Sequence, residues 1–273
     1  MTASPAPQDP VAPAPGTTRP RPGFGLRSRI KAAATHFTLS LIVATAVFCI
    51  IYFVWFPGVL FDFAGGRALL KLIFVVDVTL GPLLTFVVFV PGKKSLVFDL
   101  AVIACLQLGA LAYGVWTMFN VRPVYIVFAQ DRFDLAQAAD VSPQELERAK
   151  DTPYAKLPLD GPHLVGVNLP KDPDEQFAIS QAALAGGPDL YGYPRFYRPY
   201  DEVRPQVLKA SIPVDDLKRF NPPAAVDAEV AMIGRPASTL RAVPLRAGKV
   251  DLTVFVDAKS GDVVRFSALR PWK

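Results

Sequence analysis

Three apolar runs, residues 37–56, 68–90 and 98–119, crowd into the first half of a 273-residue chain, and no comparable run follows. As a helix rising ~1.5 Å per residue, each is about long enough to cross the ~30 Å of hydrocarbon in a bilayer. The sequence therefore predicts a membrane protein: three transmembrane α-helices within residues 27–120, followed by an α+β soluble domain over 121–273 that closes in an antiparallel β-meander.

The formal net charge is +5, and its location matters more than its size. Arg19, Arg21, Arg27, Arg29 and Lys31 precede the first run, opposed only by Asp9, and Lys93 and Lys94 lie between the second and third. From Val121 onward 20 basic residues balance 20 acidic ones. The excess is a topology signal and not a nucleic-acid footprint. With Arg27, Arg29, Lys31, Lys93 and Lys94 as its determinants, it places the N-terminus and the 93–94 turn in the cytoplasm. The loop 57–67 and the whole C-terminal domain are then outside.

The first run is too long for the core of a cleaved signal peptide and ends in Tyr52-Phe53-Val54-Trp55-Phe56 instead of small residues. Phe48 before Cys49 likewise argues against lipid modification there. Cys49 and Cys105 both fall inside spans, so no disulfide framework is expected in the exported half. His36 and His163 are expected on opposite sides of the membrane. No metal site and no cofactor are expected.

Residues 1–26, rich in Pro, Ala, Ser and Thr, read as a disordered cytoplasmic tail. The sharpest feature is Asp77, near the middle of span two, where an acidic side chain costs at least ~2.5–3.5 kcal/mol. Gly81-Pro82 follows one turn later, and the proline is expected to kink the helix against the carbonyl of Val78. Gln107 of span three lies at similar depth, so an Asp77–Gln107 hydrogen bond is expected. Asp77, Gly81, Pro82 and Gln107 form either a proton, ion or partner-helix site or a packing device within the bundle. Gly109, Ala110, Ala112 and Gly114 let helices approach closely. Asp99 suits the N-terminus of span three.

In the exported half, residues 124–129 read as a strand, with Asp131 and Asp134 closing a turn. Ser142-Pro143-Gln144-Glu145 reads as a helix start. A second helix is expected over 174–184, and weaker ones over 203–209, 214–220 and 224–233. The meander strands are 240–245, 250–257 and 263–269. Tyr191, Tyr193, Arg195, Phe196, Tyr197 and Arg198 make a segment that is either a binding surface or a Pro-rich loop packed on the sheet. No nucleophile elbow, phosphate loop, dinucleotide fingerprint, zinc-protease or C-x-x-C motif is present. An enzyme is therefore not expected.

Several of these residues also stand together in order. Phe56-Pro57-Gly58, Val76-Asp77-Val78-Thr79-Leu80-Gly81-Pro82-Leu83-Leu84-Thr85, Pro91-Gly92-Lys93-Lys94-Ser95-Leu96, Leu106-Gln107-Leu108, Tyr113-Gly114-Val115-Trp116 and Arg122-Pro123-Val124-Tyr125-Ile126-Val127-Phe128-Ala129, then Asp131-Arg132-Phe133, resemble the TfpX/TfpZ-type type IV pilin accessory proteins of Gram-negative bacteria. The likeness covers residues 27–140. It implies an inner-membrane accessory factor with a periplasmic domain that binds type IV pilin subunits, as a chaperone or assembly modulator. Its partners would be pilins and the lipid bilayer, and homo-oligomerisation stays open. The rivals are a membrane-anchored sensor or transducer, for which the cytoplasmic parts leave no output domain, and a membrane enzyme.

Overall fold

The computed structural model describes residues 22–63, 66–248 and 250–272. The expected tail therefore lies outside the described residues up to position 21, whereas 22–26 already belong to the first helix. Among the described residues three helices are long and apolar enough to cross a membrane: Gly25–Trp55, Lys71–Val88 and Leu96–Asn120.

The first is α1 (Pro22–Cys49), which continues in wider i→i+5 turns over Ile50–Trp55. Phe56 N–H closes the last wide turn on the Ile51 carbonyl at 2.8 Å. Pro57 lacks an N–H and Gly58 takes φ +63°, so the helix stops there. A short helix, α2 (Leu60–Phe63), leads into α3 (Gly66–Ile73). The chain then passes through a second i→i+5 segment, Phe74–Leu80, into α4 (Gly81–Val88). The third apolar helix is α5 (Leu96–Asn120). Asp99 in its first turn accepts from Ser95 Oγ at 3.2 Å and pairs with Lys93 at 2.5 Å. Lys31, Phe89 and Leu100 line one cavity, so the basic flank of α1 and the 93–94 turn share one end of the unit.

The domain beyond is built on one mixed sheet of eight strands. These are β1 (Pro123–Ala129), β2 (Arg132–Gln137), β3 (His163–Val167), β4 (Tyr197–Pro199), β5 (Ile212–Pro213), β6 (Leu240–Ala247), β7 (Val250–Asp257) and β8 (Val263–Ser267). Their order is β4-β3-β1-β2-β6-β7-β8, with β5 beside β6. The expected antiparallel meander is β6-β7-β8. It is a part of the sheet and not a sheet of its own, because β2 runs parallel to β6 and β1 parallel to β3. Helices α6 (Pro143–Arg148), α7 (Pro173–Leu184), α8 (Arg204–Ala210) and α9 (Pro223–Ile233) cover it. Ser142 caps α6 as its sequence demands, accepting from Glu145 N–H at 3.2 Å.

Strand β2 corrects the expected turn at Asp131–Asp134. Gln130 takes φ +60° and Asp131 N–H reaches back to the Ala129 carbonyl at 2.8 Å. The chain thus reverses within two residues, and Arg132 already pairs with Ala129. Asp134 is a buried strand residue because two arginines neutralise it: Arg132 Nε and Arg246 Nε donate to its Oδ1 at 3.2 and 2.9 Å.

Central strand β1 is buried along its whole length and feeds both faces, as the alternation of a strand requires. Ile126 and Phe128 join Phe133, Leu245, Leu252 and Val254, under Val203 and Val207 at the α8 end. Tyr125, Val127 and Ala129 face Val165, Val167, Ile179 and Tyr197. A third cluster gathers Leu217, Val226, Leu240 and Phe255 under α9.

The loop after the first helix fastens the two regions together. Leu60 is 2% exposed and belongs to the first domain cluster. Its neighbour Phe61 packs with Ile51, Phe56 and Met118 at the top of the helices. Phe63, the other aromatic of this loop, lies outside the residues whose side chains are described.

Candidate functional site

The i→i+5 segment Phe74–Leu80 runs up to Gly81-Pro82 and makes the polar centre of the helices. In that register the carbonyl of residue 77 should accept from N–H of residue 82, five positions on. Residue 82 is proline, so the carbonyl is orphaned. Gln107 of α5 supplies the missing donor: its Nε2 lies 3.3 Å from the Asp77 carbonyl and 3.5 Å from that of Val76. Gln107 thus meets Asp77 through its backbone carbonyl. The orientation of the amide follows from the two carbonyls, since its oxygen would be repelled by them. Gly81 allows this approach, because a Cβ at that position would run into the Gln107 side chain. Pro82 itself falls in the first turn of α4, where no N–H is needed.

Asp77 is 7% exposed. Among the described residues neither its Oδ1 nor Oε1 of Gln107 has a hydrogen-bond donor. Both residues line a cavity of 260 Å³ with His36, Leu39, Ser40, Val43 and Leu108. A second cavity of 620 Å³, lined by Ser28, Ala32, Thr35, Thr85 and Phe89 among others, shares His36, Leu39 and Ala104 with the first. His36 Nδ1 lies 2.6 Å from Thr85 Oγ1, tying α1 to α4.

Together the two cavities form a cleft. Helix α1 packs along α4 and the wide segment, and α5 packs on α4, which leaves a gap between α1 and α5. Asp77 and Thr85 lie on its floor. From Ser28 to Ala44 the α1 wall runs for roughly 24 Å. Farther along the helices toward the domain, Ile51, Phe56, Phe61 and Met118 pack in one cluster, with the Phe48, Tyr52 and Phe61 rings 5.1–6.0 Å apart. The opposite end of the cleft reaches Lys31.

The aromatic and arginine segment of the domain folds inward. Arg195 forms ion pairs with Glu145 and, at 2.9 Å, with Glu175, and lies over the Phe196 ring at 4.5 Å. Tyr197 is buried, its hydroxyl donating to the Tyr191 carbonyl, and burial holds that phenol well above its usual range. Tyr193 stacks beside Arg195, and Arg198 pairs within the sheet at Gly166. The segment is a clasp joining α6, α7 and the β3 edge.

The domain also holds a cavity of 520 Å³ beside Asp134, Asp189, Tyr191 and Arg246. Burial pushes the Asp134 carboxyl up, and Arg132 and Arg246 pull it back. Asp189 lies 3.8 and 4.0 Å from the same two arginines. Two acids and two guanidiniums answer one another there, which leaves no charge to recruit a ligand. At the junction, Arg122 is buried with its guanidinium 3.7 Å from the Phe119 ring centroid and donates to the Phe119 carbonyl at 2.6 Å.

Comparison with known proteins agrees with the motifs of the helical unit. The profile of the family described as fimbrial assembly protein FimB matches residues 24–58, which cover the first apolar helix and its Phe-Pro-Gly end. The serogroup I fimbrial assembly protein of Dichelobacter nodosus is 33% identical over 186 residues, 67% of this chain and 72% of the relative. The serogroup E1 protein of the same organism is 31% identical over 205 residues, 74% and 79% of the two chains. That of serogroups C1 and C2 is 37% identical over 121 residues, 44% of this chain and 92% of the relative. No solved structure matches. The first two likenesses are longer than either the helical unit or the sheet domain alone, so they bridge both, and the chain belongs to the fimbrial assembly protein family.

Proposed function

We propose that this protein is an inner-membrane accessory factor of type IV fimbrial assembly that binds pilin subunits and holds them for incorporation into the fibre. The likeness to fimbrial assembly proteins across both regions carries this reading. A pilin awaiting assembly, with one apolar helix and an exported head, offers a counterpart to each region. The basic residues at one end of the helices support a cytoplasmic N-terminus and a periplasmic domain. The reading assigns the protein no catalytic step.

Deleting the gene tests it. Surface pili should fall sharply, and detergent-solubilised protein carrying an affinity tag should retain pilin. Unchanged piliation with no pilin retained would overturn the reading. Alkaline phosphatase fused after Lys273 should be active, and fused after Lys94 inactive; the reverse would overturn the orientation.

A further inference from the structure

We propose that the cleft between α1 and α5 receives the single apolar helix of a pilin subunit, and that this helix presents a hydrogen-bond donor to Asp77 and Gln107. The inference rests on the pilin-binding reading and names the surface that does the binding.

Two observations point to a ligand independently. The first is chemical. Asp77 is more than nine-tenths buried, yet among the described residues its Oδ1 has no hydrogen-bond donor, and Oε1 of Gln107 beside the same cavity has none either. Two acceptors facing one apolar space are costly until a donor arrives. A hydroxyl, amide or cationic side chain on the entering segment supplies it. An acyl chain fills the space but brings no donor, which argues for protein over lipid.

The second observation is shape. Ser28, Ala32, Thr35, Ser40, Ala44 and Ala104 line the cleft, and small side chains let a second helix backbone come close. Its wall of roughly 24 Å covers most of the ~30 Å a membrane helix traverses.

Site-specific photo-crosslinking in cells that make the full chain and an epitope-tagged pilin of the same bacterium tests this. A benzophenone amino acid at Val43 or Leu108, both in the cleft, should yield adducts with pilin. At Leu106 or Val97, exposed but outside the cleft lining, it should yield none. Asp77→Leu should lower co-purified pilin between about threefold and thirtyfold, the range of one hydrogen bond between helices in lipid, with the protein at its normal level. Ala104→Leu, which fills the cleft, should lower it at least as far.

Adducts between two copies of this chain at Val43 and Leu108 would overturn the proposal in favour of a self-associating cleft. Equal pilin adducts from all four positions would overturn it as well. Pilin retained in full by both variants, with no cleft adducts, would move pilin binding elsewhere while leaving the broader reading intact. No pilin retained by any form of the protein would sink that reading too. The crosslinks are read in otherwise unaltered protein, so a misfolded variant cannot mask the answer.

Discussion

The helical unit and the sheet domain handle polar groups in opposite ways. In the domain, buried acids and bases meet opposite charges: Asp134 with Arg132 on its own strand and Arg246 on β6, Arg195 with Glu145 and Glu175. In the helices a carboxyl oxygen and an amide oxygen are buried without a donor among the described residues, and a side chain is spent on mending the backbone. The apolar groups differ as well. The domain cores are almost wholly withdrawn from solvent, whereas only 6% of the apolar window of the first and third helices is buried, against 33% for the second. The domain is stabilised from within. The helices are completed by what surrounds them, and the middle one is their shared core.

That contrast can be broken with the same substitution made twice. Leu245→Ala in the domain core should cost about 2–5 kcal/mol, because Leu245 is fully buried. Leu106→Ala should cost almost nothing in detergent, because Leu106 is 70% exposed. Thermal melts of the solubilised protein give both values, and equal losses would end the distinction. Leu60 marks where the contrast fails. A chain truncated to start at Val121 lacks this core residue and should be less stable than the domain in the full chain by about 2–4 kcal/mol. Equal urea midpoints would show that the fastening does no energetic work.

The domain's interior should also respond to alkali. Burial pushes the Tyr125 phenol up to about 12. Since that lies above its unfolded value near ~10, folding favours the protonated form. The contribution is complete below pH ~10 and is lost as the pH climbs toward ~12, by up to roughly 3 kcal/mol. Tyr125→Phe should flatten stability against pH in this window, and an unchanged slope would remove Tyr125 as a source. In the helices, Gly81→Ala should displace Gln107 at a cost of about 1–3 kcal/mol, read as a lower melting temperature in detergent. The smallest effect belongs to Gln130→Gly at the left-handed turn. Relief of strain and the greater freedom of the unfolded chain nearly offset each other, so stability should move by less than about 1 kcal/mol.

Legibility in the sequence followed the same division. The apolar runs and the β6–β8 meander announce themselves by length and alternation. Strand β3 does not, because five residues between Pro162 and Pro170 are too short to show a period. Strand β2 is hidden by acids that look like turn residues until the arginines across the sheet are known. Leu60 sits in the loop 57–67, read from sequence only as lying outside, and nothing local says that it enters the domain core. At the cleft, Asp77, Gly81, Pro82 and Gln107 stand out individually. The contact of Gln107 with Asp77 is legible from depth, but the carbonyl it reaches is not, because hydropathy carries no hydrogen-bond register. The available signal was a proline five residues after the acid, with an amide donor opposite.

The pairing of Pro82 with Gln107 has an evolutionary consequence. While position 82 is proline, the Asp77 carbonyl depends on a donor from another helix, and position 107 is not free to drift. A change of Pro82 to a residue with an N–H lifts that dependence and opens position 107 to substitution. The reverse order passes through an intermediate with an orphaned carbonyl in an apolar setting. Across the family, the two positions should therefore change together, with the proline lost first.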